Sequence, residues 1–166
     1  FDAIFLAIGA NVSNKMNIAG EDLNGVYGGN ELLENHVKLD YKDKVIIVSG
    51  CGNVAMDISR LAKRNGAKKV IVVYRRSIDE MTAEREEYEM AIKEGVDFLF
   101  LTTINRIIGS NSVKKIEVLK NELVKKEGEL RLCPKTIDGS NFEIECDYVS
   151  MAIGSHVDNV VDSLDL

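Results

Sequence analysis

The chain has 166 residues, 45% of them hydrophobic, enough for one well-buried core and a single domain spanning 1–166. Its 21 basic and 27 acidic residues give a net charge of -6, which excludes a broad attraction to nucleic acid or anionic membranes. No apolar run approaches the ~20 residues of a membrane span, and Cys51, Cys133 and Cys146 form no Cys-x-x-Cys pair, so a soluble, cytoplasmic protein with reduced thiols is expected.

Phe1 already lies beside an apolar run, Ile4-Phe5-Leu6-Ala7-Ile8, that ends at Gly9 as a strand would. The chain therefore reads as part of something longer, with residues 1–25 and 147–166 as junction segments. Residues 44–49 are a continuous β-branched run, the pattern of a strand buried on both faces of a parallel sheet. From 53 to 65 the apolar positions Val54, Ala55, Ile58, Leu61 and Ala62 recur at helical spacing, with Gly66 as a stop. Residues 70–74 form the next buried strand, so strand, glycine turn, helix and strand make one right-handed βαβ unit.

A charged amphipathic helix is expected over 82–93, ended by Gly95, and a third strand over 96–101. Its acids at 84–89 read as a solvated helix face. Short segments at 106–109, 113–119, 130–132 and 142–145, separated by turn signals, suggest an antiparallel meander. The fold class is α/β: a Rossmann-type three-layer fold, a parallel sheet with helices and a covering antiparallel β-meander. One echo spans the ends. Residues 2–10 and 147–155 share an acid, a buried strand and Ala-Ile-Gly followed by a small residue, so two equivalent elements bracket the βαβ unit.

Gly50-Cys51-Gly52-Asn53-Val54-Ala55 matches G-x-G-x-x-A between a buried strand and a helix, the context a dinucleotide site needs. Gly50 permits the sharp turn, Gly52 clears space for a pyrophosphate, and Ala55 lets helix and strand pack closely. Amides and the positive end of the helix dipole then face the anion. An ordinary tight turn would carry the same glycines, but the flanking elements favour nucleotide. The second strand ends Tyr74-Arg75-Arg76, where a site preferring NADH would place an acid. A guanidinium there suits a 2′-phosphate, so NADPH is expected over NADH. The competing account is a solvated strand end with both arginines paired to Asp79 and Glu80. Cys51 reads as a space-filling residue. His36 and His156 lack metal-like spacing and read as surface or linker residues.

Residues 45–57, Val73-Tyr74-Arg75-Arg76-Ser77 and Glu80-Met81-Thr82-Ala83 together resemble the NADPH-binding domain of the glutamate synthase small (beta) subunit. That family includes electron-input domains of dihydropyrimidine dehydrogenase and NADPH–ferredoxin oxidoreductases. The resemblance implies a parent protein that takes hydride from NADPH onto FAD and passes electrons through iron–sulfur clusters to a large catalytic subunit. It assigns the pyrophosphate to Gly50, Gly52, Asn53 and Val54, the 2′-phosphate to Arg75 and Arg76 beside Tyr74, and a junction place near the cofactor to Ala152, Ile153 and Gly154. This chain departs from the family at Val54, Ile8 and Ile153, where threonine is common, and at Thr82, where proline is usual. With no FAD-type glycine motif and no cysteine cluster for an iron–sulfur centre, the chain is expected to bind nucleotide without turnover, its partner being an FAD domain of the same parent. Other readings are a non-catalytic nucleotide-sensing or regulatory Rossmann domain, a methyltransferase, which would want an acid where Arg75 stands, and half of a disulphide reductase, which would want a cysteine pair.

Overall fold

In the computed structural model, which describes residues 9–34, 37–129 and 131–157 together with 3, 5 and 7, two short strands come first. These are β1 (Val12–Ser13) and β2 (Val26–Gly28), the latter running into a short helix, α1 (Gly29–Leu33). The expected unit follows as β3 (Val45–Ser49), α2 (Asn53–Arg64) and β4 (Lys69–Val73). A 3-10 turn (Ile78–Glu80) leads to α3 (Arg85–Lys93) and β5 (Asp97–Leu99). The rest is extended: β6 (Thr102–Gly109), β7 (Val113–Val124), β8 (Cys133–Thr136), β9 (Phe142–Glu145), β10 (Tyr148–Met151) and β11 (Ser155–His156).

The strands β2, β10, β3, β4 and β5 lie side by side in that order, all parallel. Alternation along them explains the unbroken apolar runs, because each face of the sheet is covered. Ile46, Val48, Val70 and Val72 pack with Ala55, Met56, Ile58 and Ala62 of α2. Ile47, Ile71, Val73 and Val149 pack on the other face with Ile104, Ile107, Ile116 and Val118 of β6 and β7. Helices, parallel sheet and antiparallel sheet thus form the three layers of the expected α/β Rossmann-type fold. The one hydroxyl that α2 buries, on Ser59, donates to the Met56 carbonyl at 2.9 Å.

Several boundaries differ from the sequence pattern, each for an identifiable reason. The helix expected from 82 starts at Arg85, because the amides of Thr82 and Ala83 donate to the Cys51 carbonyl and that of Glu84 to Asn53 Oδ1. Those amides serve the glycine turn instead of a helical ladder. The third strand stops at Leu99, and Leu101 takes a positive φ of 50° before β6, which begins at Thr102, four residues ahead of the segment expected at 106–109. β7 continues to Val124, and the strand sought at 130–132 falls at Cys133–Thr136, with Leu130 outside the described residues. The antiparallel layer is not a simple meander. β9 returns to pair with the first half of β7, whose second half pairs with β8.

β2 and α1 have no counterpart among the expected elements. The segment from 147 was read as a junction, yet Tyr148–Met151 is a central strand, between β2 and β3. Asp147 fixes its register: its carboxylate accepts the Val45 N–H at 2.8 Å, and its own N–H donates to the Val45 carbonyl at 2.9 Å. Of the terminal echo, the second copy is β10 and the turn after it. The first lies largely outside the described residues, as does His36. Beyond them, β1 and β11 pair antiparallel, Val12 opposite His156. No helix among the described residues is long and apolar enough to cross a membrane.

Candidate functional site

The C-terminal ends of β3, β4 and β10 open onto one cavity of about 690 Å³. Residues 49–54, 73–76, 102–104 and 152–154 line it, with Lys15, Met16, Ile18 and Thr82. In open parallel sheets ligands bind at this edge, outside the carboxyl ends of the strands.

The turn after β3 is built by close approach. Gly50 has a φ of 116°, and a Cβ there would lie 2.1 Å from the Ala152 carbonyl oxygen. The same crossing is tied by Gly50 N–H to the Val73 carbonyl at 3.0 Å and Ala152 N–H to the Ser49 carbonyl at 2.8 Å. Gly52 differs: its backbone is extended, with φ -102° and ψ -178°, which any residue adopts. What a side chain at Gly52 would take is open space in the cavity, beneath the Thr82 hydroxyl, whose Oγ1 stands 3.3 Å from the position of a Cβ. The first bond of α2 runs from Met56 N–H to the Gly52 carbonyl. The N–H groups of Asn53, Val54 and Ala55 therefore precede it, without intrahelical acceptors, and Gly52 supplies no capping side chain. Those amides and the positive end of the helix dipole leave donors at this terminus that an anion could accept from.

The side chains of the turn are otherwise engaged. Asn53 Oδ1 accepts the Glu84 N–H at 2.9 Å. A Val54 methyl packs over Gly29 at the start of α1, 2.9 Å from where a Cβ would stand. Ala55 is fully buried between helix and sheet. Cys51 is buried, and burial pushes its thiol up to about 12, which leaves a neutral space-filling group and no thiolate.

The end of β4 is held by the second layer. Tyr74 N–H donates to the Leu99 carbonyl, Thr102 N–H to the Tyr74 carbonyl and Leu101 N–H to the Arg76 carbonyl. The buried Asn121 of β7 donates to the Arg75 carbonyl at 2.9 Å and to Thr103 Oγ1 at 2.7 Å. Tyr74 is buried edge-on to Phe100, and its hydroxyl donates to the Glu80 carbonyl at 2.8 Å. Burial raises the Tyr74 pKa, while the nearby guanidiniums of Arg76 and Arg131 pull it down. Arg75 is exposed, and the Nε of Arg76 is buried without a partner. Among the described residues no carboxylate lies within ion-pair distance of either arginine. The pairing with Asp79 and Glu80 is absent: the Glu80 carboxylate turns to the Ser77 hydroxyl at 3.5 Å.

Ala152, Ile153 and Gly154 form the opposite wall. Gly154 has a φ of 101°, its carbonyl accepts the Asn14 N–H at 2.9 Å, and Asn14 Oδ1 lies 2.9 Å from His156 Nδ1. His156 is thus an exposed tie between β1 and β11. The cavity brings together every residue the sequence assigned to the cofactor site except Ala55, which sits behind it. Sequence reasoning missed the wall at Lys15, Met16 and Ile18. Glu21, buried, orders it by accepting the N–H groups of Met16, Asn17 and Ile18. An acid three to five residues past those amides was the one signal available.

Residues 1–165 match the family described as pyridine nucleotide-disulphide oxidoreductase. The chain belongs to that family. Within the family it is 36% identical over 165 residues to the NADP(+)-dependent formate dehydrogenase subunit beta of Moorella thermoacetica, covering 95% of this chain and 23% of that protein. It is 36% identical to the NADPH-Fe(3+) oxidoreductase subunit beta of Geobacter sulfurreducens, covering 95% and 25%. To the glutamate synthase [NADPH] small chain of Halomonas elongata it is 34% identical, covering 93% and 35%. The chain thus spans about a quarter to a third of the length of the curated relatives it matches. Among solved structures, FprA from Mycobacterium tuberculosis in complex with NADPH superposes with a TM-score of 0.77 at 22% identity, over 90% of this chain and 49% of that one. This likeness gives the same three-layer family fold.

Proposed function

We propose that this member of the pyridine nucleotide-disulphide oxidoreductase family is the NADPH-binding domain of a flavin-dependent oxidoreductase, similar to the glutamate synthase small subunit. The observation that carries this reading is the convergence, in one cavity, of the uncapped α2 terminus with two arginines that no acid among the described residues neutralises. The site fits the nucleotide. The cradle beside Gly52 is open where a side chain would intrude, and the unpartnered Nε of Arg76 is a donor in need of an acceptor.

In this reading Gly50 sets the turn, and the amides of Gly52, Asn53 and Val54 receive the pyrophosphate. Val54 offers an amide and no hydroxyl there. Arg75 and Arg76 hold the 2′-phosphate by charge-assisted hydrogen bonds. Tyr74 and Asn121 keep those two arginines in place. Ala152, Ile153 and Gly154 face the remainder of the cofactor across the cavity, and the Met16 and Ile18 wall excludes water from it. When bound here, NADPH would supply hydride-donor chemistry to a flavin held elsewhere in the parent protein, from which iron–sulfur clusters would carry electrons onward. Paired β1 and β11 would carry the chain from and back to the FAD domain, since they bring residues 12–13 beside 155–156. A large catalytic subunit is the proposed recipient of the electrons.

The complete parent protein tests the reading. Its visible spectrum should show flavin and iron–sulfur bands, and it should oxidise NADPH faster than NADH with an artificial acceptor. Arg75→Glu should weaken NADPH by about 1.5–3 kcal/mol, or roughly 10- to 100-fold, with little effect on NADH. Equal use of both nucleotides by the unaltered protein would sink the NADPH assignment, and a colourless, inert protein the whole proposal.

A further inference from the structure

Taking the nucleotide reading above as given, we infer that Arg131 is a third guanidinium of the 2′-phosphate subsite, contributed by the antiparallel layer. It lies between β7 and β8, 55 or more residues along the chain from Arg75 and Arg76. Folding nevertheless brings it to them. Arg131 Nη2 donates to the Glu80 carbonyl at 3.1 Å, the same oxygen that accepts the Tyr74 hydroxyl at 2.8 Å. The charges of Arg76 and Arg131 both act on that hydroxyl. Arg131 therefore stands beside Tyr74 and Arg76, which line the cavity together with Arg75, while Arg131 itself lies behind that lining.

The charge balance of the cluster points to an anion. The chain carries six more acids than bases, yet among the described residues none lies within ion-pair distance of Arg75, Arg76 or Arg131. Every other arginine of the described chain has such a partner: Arg60, Arg64, Arg85 and Arg106 are each paired to a glutamate. Glu80, the nearest acid in sequence, offers the cluster only its main-chain oxygen and turns its carboxylate to Ser77. Unpaired guanidiniums gathered around the end of β4 repel one another, and a dianionic phosphate monoester would relieve that repulsion with donors to spare. A mere staple between the β7–β8 segment and the 3-10 turn would need the hydrogen bond to Glu80 and no net charge.

That difference sets the test. In the complete parent protein, calorimetric titration with 2′,5′-ADP and 5′-AMP reads the phosphate subsite without any redox step. Arg131→Gln keeps a donor for the Glu80 carbonyl and removes the charge. It should weaken 2′,5′-ADP about tenfold, as the loss of one charge-assisted bond does, while leaving 5′-AMP within about twofold. It should also flatten the salt dependence of 2′,5′-ADP binding, and Arg131→Lys should recover most of the affinity. Inorganic phosphate alone should compete weakly with 2′,5′-ADP and less so in Arg131→Gln. If Arg131→Gln keeps the full preference for 2′,5′-ADP while Arg75→Glu loses it, Arg131 is only a staple and the inference fails alone. If the unaltered protein binds 2′,5′-ADP no better than 5′-AMP, the NADPH reading fails and this inference with it.

Discussion

Gly50 and Gly52 belong to one motif, but the structure separates their duties, and replacing each by alanine should expose the split. At Gly50 the added methyl meets a φ of 116° and a Cβ position 2.1 Å from the Ala152 carbonyl oxygen, where ordinary contact begins at 3.4 Å. Backbone strain of that kind costs about 1–3 kcal/mol. Overpacking against main chain adds about 1–3 kcal/mol, because the carbonyl cannot rotate away as a side chain can. The relief available is to part β3 from β10, which stretches the Ala152 to Ser49 hydrogen bond of 2.8 Å. Gly50→Ala should therefore lose roughly 2–6 kcal/mol, a large share of the ~5–15 kcal/mol that stabilises a domain. Gly52→Ala has no unusual φ and meets only the Thr82 hydroxyl at 3.3 Å, so its folding cost should stay within about 1 kcal/mol. Its methyl would nevertheless occupy the diphosphate cradle and weaken NADPH by about tenfold or more. Urea unfolding of the 166-residue chain, paired with calorimetric titration of NADPH, measures both quantities. A Gly50→Ala chain with an unchanged urea midpoint, or a Gly52→Ala chain that binds NADPH normally, would show that the two glycines do not divide the work in this way.

Two further outcomes follow from contacts away from the glycine turn. Asn121→Ala removes the donors to the Arg75 carbonyl and Thr103 Oγ1 and leaves two half-buried acceptors unmet, which should cost about 1–2 kcal/mol in urea unfolding. It should also narrow the preference for 2′,5′-ADP over 5′-AMP; an unchanged preference would mean that Asn121 serves stability alone. Glu94 accepts hydrogen bonds from Arg64 and Arg60, and the Arg64 bond is the largest influence holding its pKa below the usual 4.5. Since the folded pKa lies below the unfolded one, this contribution is present above about pH 4.5 and vanishes as pH falls through the lower folded value. Glu94→Gln should thus be less stable than the natural chain at neutral pH, with the gap closing as pH falls below about 4.5 and through the lowered folded pKa. A gap that stays constant into acid would contradict the assignment.

The βαβ unit was legible because its signals are local. Ile46 to Ser49 and Val70 to Val73 are buried on both faces, and α2 repeats its apolar face every three to four residues. The glycine turn and the arginine pair were legible for the same reason. What the sequence could not reveal depends on partners far along the chain. β10 reads as a buried strand from its own residues, but its place between β2 and β3 depends on Asp147 finding the amide of Val45, 102 residues away. Asn121 lies 46 residues from the carbonyl it holds, inside a strand whose polar alternation looks like any solvated edge. The late start of α3 was hidden because the amides of Thr82, Ala83 and Glu84 are captured by the distant glycine turn. Tertiary bonds here override local propensity.

The position of β10 has a consequence for how the molecule comes into being. A ribosome delivers β2 and β3 long before it delivers the strand that joins them, so during synthesis the sheet exists only as two unconnected halves. The β3–α2–β4 half can condense early, through contacts close in sequence, while β2 must wait for a strand that follows β9, the kind of distant pairing that slows folding. The same late-arriving peptide runs on into residues 152–154, one wall of the cavity. Completion of the sheet and completion of the pocket are therefore a single event, and a nascent chain stopped short of Met151 would have neither.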